Sequence, residues 1–176
     1  MEPLQPEQAK CLLDTNLSFL KREHPVTRKV IAAIPADRGD YRPNPVAKTA
    51  MELAWHIASA ENRFLDAVVS GVFNFGGSGK PENVQTPADV SRWYEEEFTK
   101  NIARLEQLSG EQLAKPIDFR GVLNLPAVMY LHIGLSHTIH HRGQLSVYLR
   151  PMGAKVPSIY GESYDDAEAR KAAQAN

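Results

Sequence analysis

His137 and His141, in the stretch SHTIHHRGQ, are four residues apart, a spacing that stacks two imidazoles on one face of an α-helix about one turn from each other. Rings placed this way converge on a single ion, and zinc, nickel, copper and ferrous iron all accept imidazole nitrogen. The pair is half of a site, so further ligands must come from another element. His56, in MELAWHIASAE, is the third candidate. It lies on a helix whose stripe of Leu53, Ala60 and Ala67 faces an interior, where a polar ring needs a partner. A single histidine of this kind is ordinarily satisfied by a backbone carbonyl. Three of them on interior faces of two helices match the way bundle cores host metals between facing helices.

Several neighbours bear on this site. Gln144, three residues beyond His141, falls on the same face and could bond a metal-bound water, a substrate or another helix. Glu52, one turn before His56, could orient that ring or complete a helix cap. His140 is about 60° around the helix from His137 and could border the site, whereas His132 falls on a nearly opposite face. Both are read as non-ligands, and His24, ahead of Pro25, as exposed or structural. Arg142 points elsewhere by phase, Gly143 permits close packing, and Trp55, Trp93, Tyr130 and Tyr148 are core or pocket wall. Cys11, beside Leu12 and Leu13, reads as a small core residue. No catalytic residue is assigned, with Gln144 and Glu52 the candidates for contacts around the metal.

The elements that must carry these residues are four long helices. Apolar positions Leu12, Leu13, Leu17, Leu20, Val26, Val30, Ala33 and Ile34 define the first, about 6–34, with a kink expected at Pro25. Thr49 with Glu52 opens the second, about 49–69, and Thr86 with Pro87 opens the third, about 87–108. The fourth, about 126–149, starts at Pro126 and stops before Pro151 and Gly153. A short helical turn follows Ser109, no segment alternates long enough for a strand, and the chain reads as all-α. Residues 1–153 form one four-helix bundle and 154–176 a polar tail, either a short helix or mobile. The glycine-rich connection between helices two and three is long enough to return along a helix, so a crossover is permitted. Within it GGSGKP resembles a phosphate loop, but Asn74 stands where a glycine is required and Pro81 where a hydroxyl is required.

Composition narrows the function. Twenty basic against 21 acidic residues give a net charge of −1 without a basic face, which argues against nucleic acid as a partner. The stretch Lys21, Arg22, Arg28 and Lys29 also carries Glu23 and reads as a solvated face. One cysteine, no signal-peptide pattern and no span free of polar residues point to the cytoplasm and away from a membrane.

ELAWH near the start of the second helix, HxxxHRGQL in the last, the YRPNP connection and the downstream LRPMGAKVPSIYG together resemble the DinB/YfiT-like family, over nearly the whole chain. The resemblance implies an up-down-down-up bundle with a long crossover, a metal held by His56, His137 and His141, and a homodimer. It also implies a function, since related proteins transfer low-molecular-weight thiols such as bacillithiol or mycothiol to electrophiles. The expectation is therefore one divalent transition metal, zinc or nickel first, with iron, manganese, cobalt and copper open. The leading activity is a thiol S-transferase acting on a small thiol and an electrophile. A metal-dependent hydrolase and a non-enzymatic stress-response bundle are the alternatives.

Overall fold

The computed structural model describes residues 3–76 and 79–175, so residues 77 and 78 of GGSGKP lie outside the described residues. Six helices follow in chain order: α1 (Pro6–Ala32), α2 (Ala50–Ser70), α3 (Pro87–Leu105), α4 (Gly110–Ala114), α5 (Met129–Leu149) and α6 (Tyr164–Gln174). Side-chain caps start α2, α3, α4 and α6. Thr49 Oγ1 accepts from the Glu52 N–H at 3.1 Å while Glu52 Oε2 accepts from the Thr49 N–H at 2.8 Å. Thr86 and Asp89 repeat the arrangement at α3, with Pro87 at the first helical position. Gly71, in the left-handed region at φ 78°, ends α2. α1 is one continuous helix across Pro25, whose ring is exposed.

Side-chain pairs fix the direction of each helix. Between α2 and α3, Trp55 meets Trp93, Asn62 meets Asn101 and Asp66 meets Arg104, so the numbers rise together and the helices run parallel. Between α1 and α3, Lys10 reaches Leu108, Lys21 reaches Glu106 and Arg28 reaches Ser91, so these two run antiparallel. Phe64 lies against Gly134 while His56 lies against His141, which sets α5 antiparallel to α2. The bundle is therefore up-down-down-up. Two parallel neighbours in sequence require the connection from Gly71 to Thr86 to travel back along the bundle.

A β-hairpin departs from the sequence reading, whereas the tail forms the short helix it allowed. Residues Pro116–Phe119 (β1) and Leu123–Pro126 (β2) form an antiparallel hairpin in which Ile117 faces Leu125 and Phe119 faces Leu123. Four residues per strand are too few for alternation to register, and Pro126, read as the start of the fourth helix, instead closes β2, with α5 beginning at Met129. The polar tail is drawn back onto the bundle: Val156 and Ile159 pack against buried residues and Ser163 caps α6 through the Asp166 N–H.

The interior is divided. One apolar cluster gathers around Leu13, Leu20, Ile102, Leu131 and Leu135, a second around Ile31, Ile57, Val90, Leu145 and Leu149. Buried polar residues interrupt the core: Glu23, His24 and Thr27 from α1, Glu61 from α2, Thr138 and Arg142 from α5. Close approach of α2 and α5 depends on Gly134, where an added Cβ would fall 2.8 Å from Phe64. Gly143 does not have this role, since it is exposed and a Cβ there meets nothing within 4 Å. Cys11 is likewise exposed, because Leu13 takes the inward position of that turn. Among the described residues no helix is long and apolar enough to cross a membrane.

Candidate metal centre

The capped start of α2 places His56 in its second turn, opposite the middle of α5, where His137 and His141 present successive turns of one face. Their Nε2 atoms converge: His56 lies 3.1 Å from His137 and 3.2 Å from His141. All three rings are half-buried and meet edge to face, with centroids 4.4–4.8 Å apart. A tetrahedral ion with metal–nitrogen bonds of about 2.0–2.1 Å separates its ligand atoms by about 3.3 Å, so the spacing fits a metal between them. Gln144 supplies orientation. Its Oε1 accepts from His141 Nδ1–H at 3.0 Å, which leaves the Nε2 lone pair directed at the other two rings.

The electrostatics favour neutral rings. Burial is the first cause that lowers His56 to about 4, reinforced by His141, Lys48 and Arg63. Burial also leads in lowering His137 to about 4, with His141, His56 and His140 adding to it. Neutral imidazole is the form that ligates. Three convergent nitrogens without protons repel one another, and a cation at their centre turns that repulsion into bonding.

Other candidates fall elsewhere. Glu52 gives its carboxylate to the Thr49 N–H, so it serves the cap and is not placed on His56. Those Thr49 bonds hold it below the usual carboxylate range. His132 is exposed; His140 is exposed too, although its ring lies 4.8 Å from that of His141. His24 is buried, stacked on Phe98 at 3.7 Å and bonded through Nε2 to Glu95 at 3.1 Å. A pocket of about 240 Å³ opens beside His56 and His137, walled by Phe64, Phe73 and Phe119. Phe73 comes from the α2–α3 connection and Phe119 from the hairpin, and neither segment carries a periodicity that would have revealed them.

Behind the histidines lies Glu61, whose Oε1 is buried without a well-formed hydrogen bond, as are Tyr94 Oη and Thr138 Oγ1. Burial pushes the Glu61 carboxyl up from 4.5 to about 7, and nearby Thr138, Tyr94 and Arg142 offset this only partly. A raised carboxyl pKa means that the folded chain binds the proton more tightly, so its contribution to stability is full below about pH 4.5. It is lost as the pH rises to about 7. The loss is on the order of 3 kcal/mol at 1.36 kcal/mol per pH unit. Glu61→Gln, which stays neutral, is expected to match the parent in urea unfolding at pH 4.5 and to exceed it at pH 8.5. Equal stability at pH 8.5 would mean that Glu61 ionises in the fold at little expense.

A model of the DinB family matches residues 8–174. The YjoA protein of Bacillus subtilis is 30% identical over 146 residues, covering 81% of this chain and 92% of its own length. The crystal structure of that DinB-like protein aligns with a TM-score of 0.71 at 27% identity, covering 85% of this chain and 99% of its own. A DinB-like protein from Bacillus cereus aligns with a TM-score of 0.70 at 25% identity, over 84% and 97% of the two chains.

Proposed function

The chain belongs to the DinB family, and from that premise we propose that it holds one divalent transition metal with His56, His137 and His141 and transfers a small thiol to an electrophile. The observation that carries this reading is the convergence of three imidazole nitrogens within 4.8 Å of one another, with His56 at 3.1 and 3.2 Å from the other two, beside a pocket. When bound, the ion would supply Lewis acidity that favours thiolate over thiol at neutral pH. Three nitrogen ligands leave a coordination position for an exogenous sulfur, which a closed structural site lacks. Zinc and nickel suit this donor set first. A homodimer is part of the same reading and rests on the family resemblance; a cytoplasmic location rests on the lone cysteine and the absence of a signal-peptide pattern.

The protein groups divide the work. His56 and His137, neutral at pH 7, offer lone pairs without first losing protons. Gln144 fixes the tautomer and tilt of His141. Phe64, Phe73 and Phe119 give the pocket beside them an apolar wall. In the transfer itself the thiol proton passes to solvent, a carbon–sulfur bond forms and the displaced group leaves with its bonding pair. A metal-dependent hydrolase acting through bound hydroxide would use the same three ligands and the same open position.

Cobalt loading tests the reading. Addition of bacillithiol, mycothiol, glutathione or cysteine to the cobalt protein is expected to produce an intense sulfur-to-metal charge-transfer band for at least one of them. About one proton should be released per thiol bound. Neither a band nor metal-dependent turnover across the panel would return the assignment to a hydrolase or a non-enzymatic metal-binding bundle.

A further inference from the structure

The pocket beside the histidines has a second chemistry that the metal reading leaves unused. Its lining includes two guanidinium groups, Arg63 and Arg120, and no aspartate or glutamate. Arg63 is on α2, seven residues beyond His56 and so two turns along the same face. Arg120 is at the turn of the hairpin, brought to the same opening from a different part of the chain.

Both side chains lack the partner that arginines in this protein usually have. Among the described residues seven arginines pair with carboxylates: Arg22, Arg28, Arg92, Arg104, Arg142, Arg150 and Arg170. Arg63 and Arg120 form no ion pair among those residues. Arg120 also occupies the left-handed region at φ 55°, the one non-glycine residue among those described to do so. That conformation favours glycine or asparagine, and an arginine there is a strained choice for a turn. The turn does not depend on the arginine side chain, because Asp118 caps it by accepting from the Gly121 N–H at 3.1 Å. The guanidinium lies instead over the Phe75 ring, 3.8 Å from its centroid, at the mouth of the pocket.

We propose that Arg63 and Arg120 form a carboxylate-binding rim, so that the ligand admitted beside the three imidazoles is a small thiol carrying one or two carboxylates. The inference rests on the metal and thiol reading for the position of the sulfur, and on the two arginines for the rest of the molecule. Planar guanidinium groups bind carboxylate through paired hydrogen bonds, and partial enclosure by phenylalanines strengthens such bonds over those on an open surface. The pocket volume, about 240 Å³, equals roughly eight waters at about 30 Å³ each. That is room for a compact dicarboxylic thiol.

The test is nitrogen-15 NMR of the Nε–Hε signals of Arg63 and Arg120 in the full chain, metal-free and zinc-loaded, assigned with Arg63→Gln and Arg120→Gln. The probes are mercaptosuccinate, succinate and the neutral thiol thioglycerol. Mercaptosuccinate is expected to shift both signals saturably in both forms, more tightly with zinc. Succinate should do so with little dependence on zinc, and thioglycerol should move neither signal. Each variant should weaken mercaptosuccinate about 10-fold or more while still taking up zinc, the loss of one charge-assisted pair. The rim is overturned if mercaptosuccinate moves neither signal in either form, if thioglycerol binds as tightly, or if the variants bind as the parent does. Failure to take up zinc would sink the metal reading alone, and the metal-free titrations would still decide the rim.

Discussion

Replacing any one of His56, His137 and His141 by alanine is expected to lower zinc or nickel affinity by a factor on the order of 100 or more, since losing even an outer partner costs ~10–100-fold. Each of the three contributes one nitrogen to a cluster whose members lie 3.1 and 3.2 Å from the central His56. Removing one leaves two donors and an ion too exposed to compete with water. Alanine is the strongest helix former, so far-ultraviolet circular dichroism should stay as in the parent. Two controls bracket the result. His132→Ala, on an exposed face of the same helix, should leave affinity unchanged. Gln144→Ala, which frees the Nδ1 side of His141, should weaken binding about tenfold. Competition against a chromophoric chelator measures all five variants. Parental affinity in any one of the three alanine variants would remove that histidine from the site.

The clustered histidines were legible because helical spacing is a local signal and the capping residues fixed where each helix begins. Thr49 with Glu52, and Thr86 with Pro87, are start signals written within four residues, and α2 and α3 start there. His137 and His141 needed only an i,i+4 relation. What escaped was non-local or too short. The hairpin has four residues in each strand, below the length at which alternation separates from chance. The pocket is assembled from a connection, a hairpin and two helices, so no single window of sequence describes it. Gly134 and Gly143 look alike in sequence, and only the position of Phe64 across the helix pair distinguishes them. Arg142 is the clearest case, since charge is ordinarily read outward, and its carboxylate partner Glu23 is 119 residues away.

Glu23→Ala is expected to destabilise the fold by about 3–5 kcal/mol, because it strands a buried guanidinium without its counter-charge. Arg142 and Glu23 are 1% and 4% exposed and 2.8 Å apart, so water cannot replace the missing partner. The remaining bonds of the guanidinium are to neutral groups, the Glu23 carbonyl oxygen at 3.4 Å, Thr27 Oγ1 at 3.2 Å and Tyr160 Oη at 2.7 Å. Tyr160 in turn donates to Glu23 Oε2 at 3.0 Å, so the pair also ties the tail to the bundle. A double variant, Glu23→Leu with Arg142→Met, removes both charges and is expected to recover most of the stability, as apolar replacements of buried pairs generally do. Its zinc affinity should remain below that of the parent. Arg142 follows His141 directly on α5 and bonds to α1, so the pair sets the rotation of the helix that aims the imidazole. Urea unfolding gives the first comparison and chelator competition the second. Full recovery of both in the double variant would show that the buried charges contribute nothing to the aim of His141, while failure to recover stability would mean that the pair itself stabilises the bundle.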